Sequence, residues 1–174
     1  MKKLGLFFTM MVGAAFLLTT NVMAQGVTAS ATGSGTIVAP LAISKTTDMN
    51  FGNVAVGASG GTVVLSTAGA RSVTGDVQLA ATNTGTVSKA VFAVIGEGAY
   101  TYSITLPSVD YIITRSGESE TMTINTFTSD PTPTGTLSDG TQTLNVGATL
   151  NVSGSQVAGV YTNATGFDVT VAYN

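Results

Sequence analysis

Beyond residue 24, apolar side chains recur at every second position in short runs separated by turn residues, and no stretch shows the three-and-four spacing of an amphipathic helix. Successive side chains of a strand point to opposite faces of a sheet, so this period reads as a series of half-buried strands. The longest run is Leu144, Val146, Ala148, Leu150 and Val152. Tyr100, Tyr102, Ile104 and Leu106 alternate until Pro107 stops them. Further runs lie at Leu41-Ala42-Ile43, Val63 to Leu65, Val73 to Leu79, Tyr111 to Ile113 and Met122 to Phe127. Val91 to Ile95 is continuously apolar, as a strand covered on both faces would be. Asp130-Pro131-Thr132-Pro133 and Asp139-Gly140 are turn signals between them. The expected fold is all-β: an antiparallel sandwich of about nine or ten strands in a single domain, residues 25–174.

The two ends of this pattern matter most. At the start, Val27, Ala29, Ala31, Gly33, Gly35 and Ile37 share one face of an alternating run. At the finish, a last strand is expected from near Val160-Tyr161 to Tyr173, with Phe167, Val169, Val171 and Tyr173 on its apolar face. Only Asn174 follows. Some secreted β-sandwich subunits end this way and take a missing edge strand from a neighbour. The N-terminal run, with small side chains that let backbones approach closely, is either the donor or the domain's own first strand.

Residues 1–24 read as a secretory signal peptide. Lys2 and Lys3 precede an apolar run from Leu4 to Leu18, and Val22-Met23-Ala24 offers small residues for cleavage between Ala24 and Gln25. The competing reading is an uncleaved anchor, but the run is short for a membrane span. Two of the six basic residues lie in this leader, leaving four against nine acids, a balance of −5. An acidic chain poor in lysine does not suit nucleic acid or anionic lipid. The expected location is the periplasm, the cell surface or the extracellular space. No membrane span is expected after cleavage.

The chemistry is sparse. The chain has no histidine and no cysteine. That removes the usual general base, the common nucleophilic triads, zinc sites, disulfides and a lipid-bearing cysteine. Ser44-Lys45 and Ser88-Lys89 place each lysine next to a serine, but neighbours on a strand face opposite ways. Most of the nine acids sit beside Gly, Ser or Pro, where they serve turns. Asp130 and Asp139 flank a hydroxyl-rich loop without a calcium-loop pattern. Gly57 to Thr62 lacks the lysine of a phosphate loop. Asn151-Val152-Ser153 and Asn163-Ala164-Thr165 match the glycosylation pattern, which a bacterial-type leader makes a chance match. No catalytic residue, metal or cofactor is expected.

Several strings occur together in order. They are Asp48-Met49-Asn50-Phe51-Gly52-Asn53-Val54, Ala90-Val91-Phe92-Ala93-Val94-Ile95-Gly96, Tyr102-Ser103-Ile104-Thr105-Leu106-Pro107, Leu144 to Leu150, Gly159-Val160-Tyr161, and Val169 to Tyr173. Their order and spacing resemble the bacterial secreted family called domain of unknown function 4402. That family is similar in pattern to spore coat U domains and, more distantly, to chaperone–usher pilins. The resemblance implies an incomplete immunoglobulin-like sandwich, open along one edge until a chaperone or another subunit supplies a strand. It also implies partners: further copies or related subunits, and a periplasmic chaperone. The expected function is therefore a non-enzymatic structural subunit, pilin-like or coat-like. The alternative is a self-contained secreted module binding glycan or envelope components, with Tyr100, Tyr102 and Tyr111 as platforms. This chain departs from pilins in two respects. It has no cysteine, and little sequence separates Gln25 from its first alternating run.

Overall fold

A computed structural model describes residues 25–174. They belong to two units, the first ending at Thr36 and the second running from Ile37 to Asn174. The leader expected at residues 1–24, with Ala24 at its end, lies outside the described residues. In the first unit, residues 25–36 form no strand and every one of them is exposed. Alternation alone does not make a strand there. The inward positions are Ala and Gly, which bury too little apolar surface to offset the entropy of ordering.

The second unit is all-β, with antiparallel strands and no helix. Its strands are β1 (Ala42–Thr47), β2 (Asn50–Phe51), β3 (Val54–Leu65), β4 (Arg71–Leu79), β5 (Val87–Ser88), β6 (Ala90–Ile95) and β7 (Thr101–Thr105). They continue as β8 (Tyr111–Arg115), β9 (Thr121–Asp130), β10 (Thr134–Thr136), β11 (Thr141–Val152), β12 (Tyr161–Thr162) and β13 (Thr170–Tyr173). Three of the thirteen, β2, β5 and β12, are two-residue pairings, which leaves ten longer strands.

The large sheet is organised by β11, the strand with the longest alternating run. Its first half pairs with β6 and its second half with β3 on the same side, while β9 lies along the other. The sheet runs β1-β6-β11-β9-β8-β12, with β4 added outside β3. A second sheet of three strands has the order β10-β7-β13. The turn Asp139-Gly140 closes as the sequence suggests. Both residues have positive φ, 50° and 77°, and Ser138 and Thr141 exchange two backbone hydrogen bonds of 3.0 Å. That is the geometry a two-residue hairpin needs to match strand twist.

Two clusters form the core. One gathers Phe51, Val63, Leu65, Val77, Ile113, Ile124, Leu150 and Val152. The other gathers Phe92, Val94, Tyr102, Leu137, Leu144 and Val146. β6 differs from its expected double coverage. Ala90, Phe92 and Val94 are buried, while Val91 and Ala93 are half-buried and Ile95 is exposed. The expected final strand also differs. Only Thr170–Tyr173 pairs, and β12 stands apart from it. Between them Asn163 makes a turn: its Oδ1 accepts from Thr165 N–H, its Nδ2 donates to Ile112 O, and Gly166 has a φ of 74°.

Tyr102 is fully buried, and its hydroxyl donates to Gln142 Oε1 at 2.7 Å. Burial raises its pKa above the ordinary value of 10.0 by desolvating the phenolate. The folded state thus holds this proton more tightly than the unfolded chain does. Its contribution is complete below about pH 10 and is lost as pH rises from there. Urea titrations of Tyr102→Phe should show a loss of about 1 kcal/mol at pH 7, from the missing hydrogen bond. The gap to the parent protein should narrow above about pH 10.

Candidate functional site

The strand β13 pairs with β7 on one side only, from Thr170 opposite Thr105 to Tyr173 opposite Tyr102. Asn174 N–H donates to Thr101 O at 3.3 Å. In an antiparallel ladder hydrogen-bonded and non-hydrogen-bonded pairs alternate. The N–H and C=O groups of Val171 and Tyr173 therefore point away from β7. Among the described residues no strand pairs with that outer edge.

The side chains tell the same story. Phe167, Val169, Val171 and Tyr173 face the second core cluster, yet all four are only half-buried. In β11, by contrast, Leu144 and Val146 have no exposed surface. Leu41, just before β1, and Ile43, within it, are also half-buried against the same cluster. β1 pairs only with β6, so it too is an edge strand. β1 and β13 come within 8 Å at their Cα atoms without pairing. The seam between the two sheets is thus held by side chains alone.

One end of the seam is a polar clamp. Tyr173 Oη accepts from Glu97 N–H at 2.6 Å and donates to Ala39 O at 2.9 Å. Glu97 Oε2 in turn accepts from Ala39 N–H at 2.9 Å. The Tyr173 ring meets Tyr100 edge-on, with centroids 5.7 Å apart. Gly96 makes this possible, because a Cβ there would collide with the Tyr173 hydroxyl and crowd Leu137 and Leu41.

The other end holds a cavity of about 360 Å³, lined by Leu106, Pro107, Val109, Asp110, Tyr111 and Phe167 among others. Phe167 forms one wall, and its ring also packs on Phe127 at 4.8 Å, Tyr111 at 5.7 Å and Phe92 at 6.5 Å. Burial raises the Tyr111 pKa, opposed by a hydrogen bond from the Gly166 backbone. Asp110 and Asp168 also line this cavity, and Asp110 Oδ1 accepts from Asn125 Nδ2 at 3.0 Å.

The structure thus brings Phe167, Val169, Val171 and Tyr173 into one row, although Phe167 and Val169 precede the ladder. It leaves Val27, Ala29, Ala31, Gly33, Gly35 and Ile37 exposed, Ile37 at 99 %. Gln25 is exposed as well. Of the expected tyrosine platforms, Tyr102 is fully buried, Tyr111 is half-buried, and Tyr100 is 43 % exposed. Lys45 pairs with Asp48, not with a serine. No cluster of three or more potential metal-ligating side chains occurs among the described residues. Sequence reasoning missed Ala39, Leu41, Ile43, Glu97 and Leu106. The one local signal was Gly96-Glu97-Gly98, where an acid stands between two residues that let backbone approach closely.

These features define an all-β sandwich domain with an unpaired sheet edge at β13. The sequence pattern of the family described as domain of unknown function (DUF4402) matches residues 41–173, and the chain belongs to that family. No curated protein and no solved structure matches the chain. The family match starts at Leu41, so the exposed segment before it lies outside the shared domain.

Tyr173→Phe removes the clamp hydroxyl and leaves the ring. It should cost about 1 kcal/mol in urea unfolding. The Glu97 amide, which now donates to that hydroxyl, should exchange its hydrogen faster than in the parent protein.

Proposed function

We propose that this chain is an exported, non-enzymatic structural subunit of a surface appendage or coat, and that it assembles by β-strand addition at the outer edge of β13. The observation that carries this reading is the row Phe167, Val169, Val171 and Tyr173: half-buried apolar side chains on a strand with unpaired backbone. An added strand covers those side chains and satisfies those backbone groups in one step. The occupant is the exposed segment 27–37 of a second copy. Val27, Ala29, Ala31, Gly33, Gly35 and Ile37 share one face, and a row of small residues fits a seam whose edges already lie close.

Such a contact joins two different surfaces, so it propagates from copy to copy rather than closing into a dimer. An edge of this kind is prone to mispairing while it is free. That supports a periplasmic chaperone as a transient partner, covering β13 until another subunit arrives. The leader pattern at residues 1–24 supports export. The lack of histidine and cysteine supports a role without catalysis. The glycan-binding alternative has less support, since the fully buried Tyr102 is not a platform.

The test compares residues 25–174 with residues 37–174 by light scattering after gel filtration. The longer protein should form concentration-dependent oligomers, and the shorter should stay monomeric while keeping the same β-sheet circular dichroism. Equal assembly by both proteins, or a longer protein that stays monomeric up to millimolar concentration, contradicts the proposal.

A further inference from the structure

Resting on that strand-addition reading, we infer that the cavity beside Phe167 is the socket for Ile37 of a second copy, whose segment runs antiparallel to β13. The argument begins with the clamp. Ala39 is tied to the Tyr173 hydroxyl through its carbonyl oxygen and to Glu97 through its N–H. Ile37 lies two residues earlier and is fully exposed. The chain from Ala39 to Ile37 spans at most about 7 Å. The socket is lined by Gly166, Phe167, Asp168 and Thr170, toward the opposite end of the row. From Tyr173 back to Phe167 an extended chain covers roughly 20 Å. A clamped chain cannot place its own Ile37 in its own socket. Only another copy can.

The register follows from the same row. With Ile37 beside Phe167, an antiparallel segment sets Gly35 by Val169, Gly33 by Val171 and Ala31 by Tyr173. Gly33 then passes beside β13, which comes within 8 Å of β1 at its Cα atoms, so the edges need to part by no more than about one strand spacing, ~4.8 Å. The large side chain falls where the structure has room, in a cavity of about 360 Å³. The reverse direction would put Val27 in the socket and alanines, not glycines, beside the two valines. It would also form a parallel ladder, slightly weaker per residue than an antiparallel one.

The donor's clamp then stands two residues from the acceptor's socket. Adjacent subunits are therefore closely abutted, with the donor's Ala39–Glu97 corner against the acceptor's 105–111 loop. This is a regular spacing, fixed by one side chain.

The experiment uses the exported full-length protein with Ile37→Asp or Val27→Asp. Both positions are exposed, so neither change disturbs the fold. Ile37→Asp should weaken self-association roughly tenfold or more, the effect of losing one buried aliphatic side chain. Val27→Asp should change it less than threefold. In parallel, a photo-crosslinker at position 37 in a mixture of light and heavy isotope-labelled protein should give mixed light–heavy products mapping to residues 105–111 or 166–170. Equal sensitivity at both positions, greater sensitivity at 27, or links confined to one chain overturns the socket assignment. A parent protein that never self-associates overturns the strand-addition reading itself, which is a different failure.

Discussion

The structure turns on a strand that is half finished. β13 has one hydrogen-bonded side and one bare side, and its inward face is apolar but only half-covered. Backbone groups on a sheet edge are satisfied by water, but a row of large apolar side chains beneath them is not. The seam with β1 does the covering at present through side-chain contact. A pairing strand would do it better, because it adds hydrogen bonds to the same burial. β1 is an edge as well, but it sets only Leu41 and Ile43 half-buried against the same cluster, where the row ending at Tyr173 sets four. Asymmetry of that kind makes β13 the natural place for addition.

The clamp gives this edge a direction. Tyr173 belongs to the strand, Ala39 to the root of the exposed segment, and Glu97 to the turn after β6. Tying the root to one end of the row holds residue 37 away from the other end. On the proposed strand addition, one tyrosine hydroxyl would separate closing on oneself from joining a neighbour. The chain is otherwise poor in charge and chemistry, with nine acids and six basic residues in 174. On the proposed reading, its specificity comes from shape and backbone, where glycines and alanines matter as much as large residues.

The period-two pattern read a strand such as β11 well because that strand keeps one face in the core. Leu144 to Val152 and Tyr102 to Ile104 fall where the alternation puts them, and Asp139-Gly140 makes its hairpin. The pattern misled where alternation came without volume. Val27 to Ile37 alternates, but Ala and Gly on its inward face leave it without a strand. It also merged β12 with β13, because turn chemistry at Asn163 and Gly166 interrupts a run that looks continuous in β-branched residues. The clamp was not legible at all. Its three residues, 39, 97 and 173, are far apart in sequence, and only the topology brings them together. The proposed socket was hidden for the same reason: Leu106 read as part of an alternating strand, Tyr111 as a binding platform and Phe167 as part of the terminal row.

Residue-resolved hydrogen exchange on residues 25–174, followed from dilute to concentrated protein, tests the central claim most directly. The outward-facing amides of Val171 and Tyr173 should gain protection together with amides between Val27 and Ile37, and by comparable factors. Protection that appears on another edge, such as β4, or that leaves Val171 and Tyr173 unchanged while the protein assembles, would contradict the account.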